Sequence, residues 1–172
     1  MGDLCSTGDG YVTTWVVDTS SLIFLAKLGH LDLLREDADT VCVPQAVLDE
    51  VLAKPDEATQ AIQEASRSWL SVREVGNRGA VEVLLADLDF GEAEAIVLAK
   101  EINADRLVMD DLDARRIARR VDLDLIGTMG LLLAARLRGE IPSVREEIER
   151  LQALGFRVAP SLVEAVLREA GE

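Results

Sequence analysis

The sequence predicts an α/β fold in which a mainly parallel sheet is covered by helices on both faces. Short strand-like runs alternate with helical segments along the chain, an order typical of parallel sheets. With 172 residues, of which 49% are hydrophobic, the chain is the size of one domain with a core of its own. In such a sheet, functional side chains lie beyond the carboxyl ends of the strands.

The first half of the chain contains strands separated by helical runs. The predicted strands are "TWVV", "TVCVP", which stops at Pro44, and "WLSVREV". The predicted helices are "SLIFLAKL", closed by Gly29, "HLDLLRED", "QAVLDEVLA" and "PDEATQAIQEASRSW", which starts with Pro55 near its first position.

The second half continues the alternation. A largely buried helix, "GEAEAIVLAKEINA", precedes the strand "LVM" and the amphipathic helix "DARRIARRV". The strand "LDLIG" follows, then the helix "MGLLLAARL" with Gly139 at its end, and the helices "SVREEIERLQALG" and "PSLVEAVLREAG" close the chain. We therefore expect a flexible tail over residues 1–13 and one domain over residues 14–172.

Composition indicates where in the cell the protein works and which partners it has. The N-terminus has no basic start followed by an apolar stretch, and no apolar run is long enough to cross a bilayer. Cys5 and Cys42 do not form a disulfide framework, so we expect a cytoplasmic protein without a membrane partner. The net charge of −14 repels nucleic acids and anionic membranes at long range.

Carboxylates follow two of the predicted strands. Asp18 ends the first strand, and the pair Asp110 and Asp111 ends the strand "LVM". If these strands are neighbours, the acids share one cleft. Their carboxylates repel one another there, and a cation bound between them would explain why they are brought together. Hard divalent cations such as Mg²⁺ and Mn²⁺ prefer oxygen ligands of this kind.

Glutamates on two predicted helices join this set. Glu50 lies on the helix after the second strand, and Glu92 and Glu94 lie among apolar neighbours in "GEAEAIVLA". An acid on a mostly buried helix is costly unless it is paired or bound to metal. Spacing leaves the choice between Glu92 and Glu94 open, because residues two apart point to different helix faces.

The order of these motifs resembles that of PIN domains. The segments "VVDTSSLIFLAKLG", "VPQAVLDEV", "LDFGEAEAIVLA", "LVMDDLDARRIA" and "IGTMGLLLAA" resemble a family of PIN-like proteins related to VapC toxins, from about Val16 to the C-terminus. The resemblance implies a three-layer α/β/α sandwich and cleavage of RNA phosphodiesters with Mg²⁺ or Mn²⁺.

The resemblance also implies site residues. It makes Asp18, Glu50, Glu94 and Asp111 the catalytic acids, with the metal held by Asp18, Glu94 and Asp111. Supporting roles fall to Ser20, Glu92, Asp110 and Thr128. Met109 stands where the family pattern has threonine and the following acid is doubled, so the division of roles between Asp110 and Asp111 stays open.

Arginines follow the doubled acid. Arg115, Arg116, Arg119 and Arg120 form a basic stripe, and in an acidic protein the first three are the best candidates for contact with RNA phosphates. The alternative is pairing with surface carboxylates. The simpler role for Asp113 is to start the same helix.

Three functions are compatible with these residues. The first is a ribonuclease, the toxin of a toxin–antitoxin pair, that binds RNA and an antitoxin protein and forms a homodimer. The second is a catalytically inactive PIN-like binding module. The third is a Toprim-like phosphoryl-transfer domain, which also carries an Asp-x-Asp motif, as in Asp111 and Asp113, but needs glutamate after its first strand.

Overall fold

A computed structural model of the protein describes residues 10–172. The predicted flexible tail falls largely on residues 1–9, outside the described residues. Of its remaining positions, Thr13 is tied to the domain by its backbone N–H, which donates to Asp39 Oδ2 at 2.8 Å.

The sheet is parallel throughout, with the strand order β3-β2-β1-β4-β5. Its strands are β1 (Thr14–Val17), β2 (Thr40–Pro44), β3 (Leu70–Arg73), β4 (Arg106–Val108) and β5 (Leu125–Ile126). The first strand occupies the centre, and the chain builds the sheet to one side of it before crossing to β4 on the other. Such a reversal is the topological switch point where α/β sheets bind ligands.

Helices lie between these strands and after the last of them. They are α1 (Thr19–Leu28), a 3-10 helix (Leu31–Arg35), α2 (Gln45–Ala53), α3 (Thr59–Ser68), α4 (Arg78–Leu84), α5 (Phe90–Glu101), α6 (Leu112–Arg120), α7 (Thr128–Leu137), α8 (Val144–Ala153) and α9 (Pro160–Ala170). The predicted α/β sandwich with a parallel sheet is therefore confirmed.

Two details differ from the sequence prediction. Helix α3 begins at Thr59 and not at Pro55, because Asp56 Oδ1 accepts the N–H of Ala58 and holds a turn there. Helix α4 was not predicted at all, although Asn77 caps its first turn by accepting from the N–H of Ala80 at 3.0 Å.

The core lies on both faces of the sheet. Alternation along β1 sends Trp15 and Val17 to the face covered by α1, α2, α3 and α7, and sends Val16 to the face covered by α4, α5 and α6. All three side chains are buried. Packing on both faces fixes the strand register and therefore fixes where each strand ends.

The two closing helices bury their apolar stripes within the chain. Val144, Ile148 and Leu151 of α8 and Val166 of α9 are buried with residues of α7 in a further cluster. On α9, Leu162 stays exposed, at 46%. In the part of the chain that the structure describes, no helix is long and apolar enough to span a membrane.

Candidate active site

Asp18 lies at the switch point, directly after β1. Its backbone N–H donates to Val108 O at 3.1 Å, which continues the pairing of β1 with β4. Its carboxylate caps α1 by accepting from the N–H of Ser21 at 3.0 Å, and the residue is only 1% exposed. Strand pairing and helix capping together hold this carboxylate in one place.

The environment of Asp18 disfavours its charge. Burial raises the pKa of Asp18 from 3.8 to about 7, with the hydrogen bond from the Ser21 backbone acting in the opposite direction. The nearby carboxylates of Asp110 and Glu92 raise it further. A buried acid surrounded by acids is a position where a bound cation would lower the energy of the folded protein.

Asp110 follows β4 and faces the same side of the sheet as α1 and α7. Its Oδ1 accepts from the N–H of Thr128 at 2.7 Å, and its Oδ2 accepts from Thr128 Oγ1 at 2.5 Å and Ser21 Oγ at 2.9 Å. Thr128 is the first residue of α7, so the carboxylate also lies at the positive end of a helix. These contacts position Asp110 next to Asp18.

A glycine leaves room for this arrangement. A Cβ added at Gly127 would lie 2.9 Å from Asp110 Oδ1 and 3.2 Å from Arg115 Nη1. The Arg115 guanidinium is held in turn by Met109 O, to which its Nη1 donates at 2.7 Å. Any side chain at position 127 would push the carboxylate or the guanidinium away.

Glu50 lies on the other side of Asp18, on α2. It accepts a hydrogen bond from Thr19 Oγ1 at 2.9 Å, which links it to the residue that follows Asp18. A second glycine leaves room for this hydrogen bond. A Cβ at Gly91 would lie 2.6 Å from Thr19 Oγ1 and 3.1 Å from Glu50 Oε2.

The structure separates Glu92 from Glu94. Glu92 lines a cavity of 260 Å³ together with Asp18 and Glu50, whereas Glu94 lines a different cavity and pairs with Arg78 of α4. Burial, then the Asp89 carboxylate, raises the pKa of Glu92 to about 7. The salt bridge with Arg78 compensates the buried Glu94 carboxylate, whereas Glu92, which also accepts from the N–H of Asp89 at 3.2 Å, shares the cavity with Asp18.

Asp110 and Asp111 have different surroundings. Asp111 is exposed and caps α6, with its Oδ1 accepting from the N–H groups of Asp113 and Ala114 at 2.9 Å each. Its charge still acts on Glu92, whose pKa it raises. The structure thus places Asp110 beside Asp18 and leaves Asp111 at the rim.

Hydroxyl groups connect the acids. Ser20, the predicted serine, lines the cavity beside Asp18 and is exposed. The serine that contacts a site carboxylate is the next one, Ser21, which bonds to Asp110. Ser21 and Thr19 were missed, and the signal available for both was their place in the first turn of the helix that Asp18 caps.

The arginines of the basic stripe have different surroundings in the structure. Arg116 pairs with the exposed Asp113 at 2.7 Å, as the surface alternative predicted. Arg115 and Arg119 instead line a groove next to Asp110. Burial, followed by the charge of Arg119, lowers the pKa of Arg115.

The donors around Asp18 fit a hard divalent cation. All are carboxylate or hydroxyl oxygens, and Mg²⁺ usually combines one or two carboxylates with water. Within residues 10–172, no three acidic, histidine or cysteine side chains are grouped closely enough to hold an ion. The site therefore fits an ion held by Asp18 and Asp110 and completed by water, and it does not fit an all-protein cage.

Comparisons with known proteins agree with this fold. A family model described as a PIN domain matches residues 14–172. A solved PilT N-terminus domain protein from the hyperthermophilic archaeon Sulfolobus solfataricus P2 superposes with a TM-score of 0.50 and 20% identity, over 72% of this chain and 93% of that chain. No curated protein matches the sequence.

The match to the family model decides between the folds considered from the sequence. It covers nearly the whole of the described chain, and members of this family are commonly nucleases that use divalent metals. The Toprim-like alternative is set aside. The chain belongs to the PIN-domain family.

Proposed function

We propose that this protein is a divalent-metal-dependent ribonuclease whose active site is formed by Asp18, Asp110 and Glu92. The observation that carries the proposal is the buried Asp18 carboxylate, whose pKa is raised to about 7 by burial and which has further acids beside it. Mg²⁺ or Mn²⁺ would offset that charge, and Asp18 and Asp110 are the residues that would hold it.

The other residues of the site position these two acids. Thr128 and the Ser21 hydroxyl orient the Asp110 carboxylate. The backbone N–H of Ser21 orients the Asp18 carboxylate. Glu92 and Asp111 add negative charge at the rim, and Glu50 holds the Thr19 hydroxyl. A bound ion would supply an activated water and would stabilise the leaving oxygen of a phosphodiester.

Cleavage of varied RNAs is the direct test of this proposal. We expect hydrolysis with Mn²⁺ or Mg²⁺ that stops when EDTA is added, and an activity loss of about 100-fold or more in Asp18→Asn. The conservative variant Glu94→Gln is the control, since Glu94 pairs with Arg78 outside the cavity. Equal activity in Asp18→Asn and the parent, or cleavage that persists in EDTA, would refute the proposal.

A second candidate is a PIN-domain module that binds a partner without catalysis. The observation in its favour is that no three potential ligands are grouped for a metal within the described residues. The net charge of −14 also opposes the approach of RNA. A purified protein that binds Mn²⁺ weakly and leaves all RNAs intact would favour this function.

We further propose that the protein is the toxin of a toxin–antitoxin pair and acts as a homodimer. The acidic surface would attract a basic antitoxin segment to the cleft. Most apolar side chains of α8 and α9 pack within the chain, so a dimer would use an apolar residue that stays exposed, such as Leu137 (64%). Light scattering tests the dimer, and suppression of cleavage by a co-expressed basic partner tests the pairing.

A further inference from the structure

A groove beside the acids has no role in the proposed chemistry. It has a volume of 550 Å³ and lies between α6, the start of α7 and the segment that joins α8 to α9. Asp110 lies on its wall, so the groove opens next to the site of the proposed cleavage. Sites for small ligands have volumes of roughly 300–1,000 Å³.

Arginines line this groove although the chain is strongly acidic. Arg115 and Arg119 come from α6 and Arg157 from the segment after α8. No carboxylate within residues 10–172 forms a salt bridge with any of them. Asp110 is the one carboxylate among the described residues that line the groove, so the three arginines outnumber it there.

The rest of the groove is mainly apolar. Leu112, at the start of α6, and Leu162, on α9, both line it and are 69% and 46% exposed. Leucine side chains exposed to this extent beside unpaired cations favour a ligand with an apolar face and a negative charge. A nucleotide has both, since its base is flat and its phosphate is anionic.

We propose that this groove binds one unpaired nucleotide of the RNA substrate, next to the phosphodiester at Asp110. The inference rests on the proposed function and adds a substrate subsite to it. Arg119 and Arg157 contact the phosphate, and the base packs on Leu112 and Leu162. Paired bases are stacked inside a duplex and cannot enter such a groove, so the subsite selects single-stranded RNA.

The charge of the groove argues against the basic antitoxin as its occupant. A basic segment would be repelled by the three arginines, whereas the phosphates of RNA are attracted. An acidic protein segment with apolar side chains is the competing ligand, and the experiment below includes it.

Binding measured without metal tests the subsite independently of catalysis. Fluorescence anisotropy in EDTA would compare a labelled single-stranded oligouridylate with an abasic oligomer of the same length. We expect the parent to prefer the base-bearing oligomer about tenfold, because covering one face of a base with two leucine side chains removes enough apolar surface from water to be worth about that ratio. The full chain is used throughout.

Two double variants test the contacts to the phosphate and the contacts to the base separately. Arg119→Ala with Arg157→Ala should weaken binding about tenfold or more and reduce the slope of log affinity against log salt by about 0.7, for the one phosphate that both arginines contact. Leu112→Ala with Leu162→Ala should leave that slope unchanged and remove the preference for the base. Arg120→Ala is the matched control, since Arg120 is an exposed arginine on α6 that does not line the groove.

Failure of the subsite is distinguishable from failure of the proposed function. Unchanged affinity and slope in the arginine pair would overturn the subsite, even if the parent cleaves RNA. So would tight binding of an acidic oligoglutamate peptide in place of RNA. Groove-dependent RNA binding by a parent that cleaves nothing would support the subsite and refute the nuclease.

Discussion

Replacing Asp18 by asparagine should stabilise the protein at neutral and higher pH. The carboxylate is 1% exposed and its pKa is raised from 3.8 to about 7, mainly by burial. The folded state therefore holds this proton more tightly than the unfolded state, and the parent loses stability as pH rises from about 4 to about 7. Asparagine removes the charge and leaves a residue that caps a helix equally well.

The pKa shift sets the size of the effect. A gap from 3.8 to about 7 corresponds to about 4 kcal/mol of unfolding free energy at high pH. We expect Asp18→Asn to raise the free energy of unfolding by about 2 kcal/mol, because the buried amide must itself find hydrogen-bond partners. For a domain of this size that raises the unfolding temperature by about 4–8 °C at pH 8.

Urea unfolding of parent and variant between pH 4 and pH 8 in EDTA measures this effect. The difference should be small at pH 4, where the parent carboxyl is protonated in the folded state, and should grow up to about pH 7. Asp87→Asn, at an exposed carboxylate, is the control and should show no such growth. A difference that does not depend on pH, or a destabilised variant at pH 8, would refute the reasoning.

Two other changes test the surroundings of the site, and a third tests how Glu172 is held against the start of α8. Gly127→Ala should destabilise the protein by about 1–3 kcal/mol, measured by urea unfolding, because its Cβ would lie 2.9 Å from Asp110 Oδ1. Thr128→Val should cost about 1–2 kcal/mol in the same assay by removing a hydrogen bond to Asp110. In Glu172→Gln, the unfolding temperature should fall by about 3–6 °C at pH 7, since this carboxylate accepts from the N–H groups that start α8. Because those bonds lower the pKa of Glu172 to about 2, the difference should shrink as pH falls from 4.5 to 2, as calorimetry would detect.

The fold could be predicted because the sequence patterns that indicate it are local. Apolar runs of strand length, each followed by a helical pattern, indicate a parallel sheet whatever the details of packing. The αL glycine at the end of α1, Gly29 with φ 77°, was recognised for the same reason. Helix α4 was missed because it has only seven residues, one of them a glycine, and its start is marked by a single capping residue, Asn77.

The choice between neighbouring acids depends on contacts that are distant in sequence. Glu94 is compensated by Arg78, which belongs to the helix that was not predicted, so the sequence could not show that its charge was already paired. Asp110 faces α7 because the strand pairing extends one residue beyond β4, where the N–H of Met109 donates to Ile126 O. That register is set by β5 and the helices on both faces, and not by "MDD" itself.

Titration with Mn²⁺, followed by the electron paramagnetic resonance signal of the free ion, tests the central claim most directly. The parent should bind the ion, and Asp18→Asn and Glu92→Gln should bind it more weakly, the former by about tenfold or more. Glu94→Gln should bind like the parent because Arg78 neutralises that carboxylate outside the cavity. Binding by Asp18→Asn as tight as that of the parent would contradict the account.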